Sequence, residues 1–169
     1  MPPPSPYRSL PLERRVELVT YQLTHLRESR AAFIQRLCSR GGGFRPATFQ
    51  NWPAERLAKE VVRLKVESGE DEFGLMQTLY VDMDPSIQAA FLDDAGVSHT
   101  NGRLEEEVEP PFAEAVNVKR AALALAASHG EEGLRYLRTI NRYAAGAWPG
   151  ITNVLEELER GTDDTQNSC

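Results

Sequence analysis

At 169 residues, with 41% hydrophobic and 26% charged side chains, the chain has the apolar content of one ordinary core, and no apolar run approaches the roughly 20 residues that span a bilayer. Two cysteines, Cys38 and Cys169, exclude a disulfide framework or a paired zinc motif; with His25, His99 and His129 dispersed as well, no metal and no cofactor is expected. The net charge of −6 is split unevenly: residues 1–50 carry eight arginines and three glutamates, a balance of +5, and the remainder stands at −11.

The opening MPPPSPYRS lacks the apolar stretch of a signal peptide, so a soluble, cytoplasmic protein without membrane attachment is expected. Pro2, Pro3, Pro4 and Pro6 favour extended polyproline conformations, and residues 1–10 read as a flexible tail. From Pro11 to Ser39 the residues Leu12, Val16, Val19, Leu23, Leu26, Phe33 and Leu37 recur in steps of four and three, with Arg30 in the one remaining place. Such a heptad seam predicts a single long helix, about 43 Å from end to end. Two uses fit it. Widened by Ile34, the stripe packs inside the chain's own bundle; left open, it serves as a coiled-coil surface for a partner or a second copy. Arg30 discriminates between them, because inside a bundle its charge needs a carboxylate.

RGGGFRP, residues 40–46, ends that helix. A phosphate-cradling loop needs a strand before its glycines and a lysine and a hydroxyl after them; here a helix precedes and Phe44, Arg45 and Pro46 follow, so the glycines read as a helix stop. Arg40, Phe44, Arg45, Phe49 and Trp52 form a candidate patch for an anion or a flat ring, with capping of the core by Phe49 and Trp52 as the plainer use.

Trp52-Pro53 with Glu55 starts a second helix, which carries Leu57, Val61 and Leu64 inward as far as Gly69. A third is expected over about residues 71–81, and a fourth over 85–95 with Asp84 as N-cap and Gly96 as stop. Residues 97–111 read as a loop with a tight turn at Asn101-Gly102 and one short helix over 104–109. Ala95-Gly96-Val97-Ser98, with Thr100, resembles the turn of a helix-turn-helix DNA-binding unit. Gly102 then takes the place of an apolar anchor and Glu105, Glu106, Glu107 and Glu109 would meet phosphates, so DNA binding here is possible but not favoured. A fifth helix over 112–128 ends at His129-Gly130, and a sixth from Glu131 carries Leu134, Leu137 and Ile140. After Trp148-Pro149-Gly150 a last one runs from Ile151 and stops before Gly161, leaving 161–169 as a flexible tail.

The expected architecture is all-α: a single domain over 11–160, an irregular antiparallel helical bundle of about six to seven helices with a long N-terminal helix. The expected function is a non-catalytic protein–protein interaction protein (small subunit, adaptor or regulator) that engages a partner or itself through that helix. Nucleic-acid or phosphate-ligand binding through the arginine-rich start is the first alternative. An enzyme with a composite pocket gathering Tyr136, Arg142, His129 and acids is the second, without any local motif to mark it. No known family is recognised in these residues.

Overall fold

The seam does not stay straight. The structure, a computed structural model, describes residues 5–40, 45–65 and 69–161 in full and the backbone of 162–166. Among these residues it holds eight α-helices and one two-stranded hairpin, an all-α protein. The expected long N-terminal helix is instead two helices, α1 (Leu12–His25) and α2 (Arg27–Ser39), separated by Leu26 with φ −118° and ψ 99°. Neither proline nor glycine marks this break. In the last turn of α1, Thr24 Oγ1 donates to Thr20 O at 2.8 Å and His25 Nδ1 to Tyr21 O at 2.9 Å, bonds that satisfy end carbonyls and bend helices. Packing supplies the larger reason: the bend lets α1 and α2 lie against each other and both against a later helix, burying Val19, Leu23, Phe33 and Leu37.

The chain divides into two units, Met1–Thr78 and Leu79–Cys169. In the first, α3 (Pro46–Gln50) packs on α2; it is too short for a periodic signal, and only Pro46 in its first turn announces it. The helix that begins after Pro53, α4 (Ala54–Val61), turns Leu57 and Val61 inward as expected but stops before Leu64. α5 (Gly69–Gln77) runs into a π-helical turn, Thr78–Met83, where the third helix was expected to end. Gln22 of α1, buried, donates to Thr78 Oγ1 at 3.0 Å, and Arg36 of α2 pairs with Asp71 of α5 at 2.5 Å. Residues 5–10, expected as tail, form a turn with Pro6, Tyr7 and Leu10 buried. Pro2, Pro3 and Pro4 lie outside the described residues, and so do Gly41, Gly42, Gly43 and Phe44.

In the second unit α6 (Ser86–Ala95) ends as the sequence requires: Gly96 at φ 72° donates to Asp93 O and Val97 N–H to Leu92 O, a Schellman closure. Its start is shifted by one residue, with Pro85 at the cap and the Asp84 carboxylate accepting from Ser86 Oγ at 2.6 Å. The expected turn at Asn101 (φ 50°) and Gly102 (φ 81°) joins β1 (His99–Thr100) and β2 (Arg103–Leu104), which pair antiparallel, and the short helix expected over 104–109 does not form. Positive φ at both central residues is the hairpin geometry that Asn-Gly favours. α7 (Ala115–Ala144) is the longest helix, yet Gly130, at φ 53° and ψ −128°, divides it into arms at the boundary the sequence predicts. α8 (Ile151–Gln166) continues through Gly161, where a stop was expected. α6 and α8 both pack on α7. No helix of the described residues is long and apolar enough to cross a membrane.

The corner in α7 depends on two glycines for different reasons. Gly130 holds a backbone conformation strained for any L side chain, and a Cβ on Gly133 would stand 2.7 Å from the carbonyl oxygen of Leu125, in the other arm. Gly133→Ala and Gly130→Ala are each expected to lower stability by about 1–3 kcal/mol. Gly161→Ala, with nothing within 4 Å of the new Cβ, should be neutral or stabilising by up to about 1 kcal/mol. Urea unfolding of the three variants checks the order.

Candidate functional site

The eight seam residues divide by environment. Val19, Leu23, Phe33 and Leu37 are buried, Val16 and Arg30 are half-buried, and Leu12 and Leu26 stand 53% and 40% exposed. Arg30, for which a bundle position called for a carboxylate, meets carbonyls instead: Nη2 donates to Gln50 O at 3.1 Å and Trp52 O at 2.8 Å, just past the end of α3. The unsatisfied carbonyls and the negative dipole end of that helix stand in for a counter-charge.

The arginine and aromatic patch comes together only in part. Phe49 is buried and meets Trp52 edge-on, with centroids 5.0 Å apart. The Trp52 face carries the Arg56 guanidinium at 3.9 Å, so that ring is already stacked by the chain itself. Arg40 Nη2 donates to Arg63 O at 2.7 Å, next to the end of α4; Arg45 is exposed; Phe44 lies outside the described residues. Of the other early arginines, Arg14 pairs with Glu17, Arg36 with Asp71, and Arg15 lies over the Tyr7 ring at 5.9 Å. Five of the eight arginines of residues 1–50 thus meet groups of the first unit, two of them carboxylates.

Between α2 and α3 lies an open groove of about 470 Å³ that periodicity alone does not reveal. Ala31, Ile34 and Pro46 line it with aliphatic surface, Gln35 and Gln50 add amides, and Ser39 and the half-exposed free thiol of Cys38 complete it. Its volume is that of a small-molecule site, and its lining is uncharged. The signal for it was Arg45-Pro46, a helix start that the reading of 40–46 as a stop passed over.

Tyr136, His129 and Arg142 stand in different environments in the second unit. Tyr136 is buried in a ring cluster, 5.0 Å from Tyr80 and 5.5 Å from Phe91, which in turn meets Trp148 at 5.0 Å. Burial pushes its phenol pKa far above the ordinary value, with Tyr80 adding to the rise. His129 is half-buried and Arg142 exposed. Arg138, between them in sequence, is clamped by Glu159 at 2.9 Å and Glu131 at 2.8 Å; burial works against its charge, but the two carboxylates together raise its pKa. His99 has both ring nitrogens engaged: Gly102 N–H donates to Nδ1 at 3.0 Å, which leaves Nε2–H to donate to Asp93 Oδ1 at 3.0 Å.

Compared with protein-family models, with curated proteins and with solved structures, the chain matches none.

Arg30→Met keeps the aliphatic stem and removes both carbonyl bonds, at an expected cost of about 1–2 kcal/mol in denaturant unfolding. For Tyr136 the folded state holds its proton at pH values where the unfolded chain, with an ordinary pKa of 10.0, has lost it. Stability is therefore complete below pH 10 and falls above it, by about 1.4 kcal/mol per pH unit for this group. Tyr136→Phe should flatten that alkaline loss, read as the midpoint of urea unfolding across pH 9 to about 11.

Proposed function

We propose that this is a non-catalytic helical protein, a small subunit, adaptor or regulator in the cytoplasm, that engages a partner protein or a second copy of itself through the seam positions its own fold leaves exposed. One observation carries the reading: Leu12 and Leu26, at the two ends of α1, remain 53% and 40% exposed on the line whose middle, Val19 and Leu23, is buried. Leu12 opens α1 and Leu26 caps it, about 21 Å further along its axis. Two apolar anchors at that spacing suit a reversible contact rather than an obligate coiled coil, which would need the buried middle as well. The engagement of Tyr136, Arg138 and His99 in packing, ion pairs and hydrogen bonds supports binding over catalysis. The free thiol at Cys38 is in keeping with a reducing compartment.

Light scattering over a range of concentrations, together with mass spectrometry of whatever co-purifies from the native host, tests this. The expected result is a mass that rises with concentration or a companion in stoichiometric amount. Leu12→Asp with Leu26→Asp should then weaken that association by about 2 kcal/mol, about thirtyfold in Kd, with helix content unchanged. A chain that stays monomeric and alone at every concentration contradicts the proposal, and so does an association that the double variant leaves intact.

A further inference from the structure

A buried carboxylate ties the N-terminal turn to the first unit. Glu72, in the first turn of α5, is only 4% exposed; its Oε1 accepts from Ser5 Oγ and, at 3.0 Å, from the backbone N–H of Tyr7. Ser5 is also the centre of the turn itself, since its hydroxyl accepts from Arg8 N–H at 3.2 Å and its carbonyl from Ser9 N–H at 3.1 Å. Tyr7, two residues on, is buried and lines a cavity of about 10 Å³ together with Val19 of α1, Phe33 of α2, Val61 of α4 and Leu75 of α5. Four helices therefore meet around a side chain that belongs to none of them.

We propose that residues 5–10 are a releasable strap: Glu72 latches it at Ser5 and Tyr7, the Tyr7 ring packs between α1, α2, α4 and α5, and a negative charge placed at Ser5 opens it. The strap joins the body only through Pro11, whose φ −52° and ψ 150° are extended, so it can lift without unwinding α1. Its contacts with the body include the Tyr7 ring, under the Arg15 guanidinium, the buried Pro6 and Leu10, and hydrogen bonds that converge on Ser5 and Glu72; six residues held in this way can break away as a local event. A carboxylate at position 5 would face Glu72 in a buried place, where like charges repel far more strongly than in water. Opening uncovers Val19 and Phe33, the buried middle of the seam, although the device itself does not depend on any partner using that surface.

Limited trypsin digestion of the full chain tests it, since Arg8 is exposed within the strap while Arg15 lies inside α1. Cleavage after Arg8 reports strap opening, and cleavage after Arg15 reports loss of the helix; mass spectrometry separates the two products. Ser5→Glu is expected to speed cleavage after Arg8 by about tenfold or more with cleavage after Arg15 and helical circular dichroism unchanged. Adding Glu72→Gln should bring the rate back toward that of Ser5→Ala, because the repulsion is gone. Should Ser5→Glu fail to fold, Ser5→Ala carries the same test with an expected gain of about fivefold. A rate after Arg8 within about twofold of wild type overturns the proposal, as does a gain that rises only in step with cleavage after Arg15.

Discussion

Packing of α1 and α2 against α4 requires the backbone to leave helical geometry at Leu26, and the first unit is organised around that bend. A straight rod would hold Val19 and Phe33 about 21 Å apart along one axis. In the bent chain both line the same small cavity, together with Val61, Leu75 and Tyr7. Most of the apolar stripe is thereby converted from a surface into a core, and Leu12 at its start and Leu26 at the bend remain exposed. This conversion limits what the N-terminal region can offer a partner, and it makes a place for the strap.

Arginine finishes helices in both units. Arg30 reaches Gln50 O and Trp52 O at the end of α3, Arg40 reaches Arg63 O beyond α4, and Arg120 of α7 reaches Asp94 O in the last turn of α6 at 2.8 Å. In each case a guanidinium on one helix, or just past its end, meets carbonyls at the end of a neighbouring helix, where the helix dipole is negative. The device ties neighbouring helices together without a buried acid, and it accounts for much of the arginine-rich start by contacts within the chain. Where acids are present, as around Arg138, the pairing joins the second arm of α7 to α8.

Sequence was informative wherever one residue type imposes a backbone state. Gly96 closed α6, Asn101-Gly102 made a hairpin turn, Pro53 opened α4, and His129-Gly130 broke the helical run that follows Phe112. It misled where tertiary packing overrode a clean local pattern. The heptad spacing from Leu12 to Leu37 is real, yet it continues across a bend that no residue between Thr24 and Glu28 announces, because the spacing records which side chains are apolar and not whether the axis is straight. The prolines from Pro2 to Pro6 suggest a tail, while contacts that order residues 5–10 come from Glu72, distant in sequence. The α2/α3 groove leaves a single trace in the sequence, Pro46, because one of its walls is a five-residue helix that carries no period.

The bend itself can be measured directly. Spin labels at Glu13 and Ser39, both exposed, in a Cys38→Ser and Cys169→Ser background report the span of α1 and α2 by pulsed dipolar spectroscopy. An unbroken helix would separate the two backbone positions by about 39 Å. Two helices folded at Leu26 predict a distribution centred at least about 10 Å shorter, and narrow, because both helices are fixed by packing. A single population near the full rod length would contradict the bend, and with it the inward use of the seam.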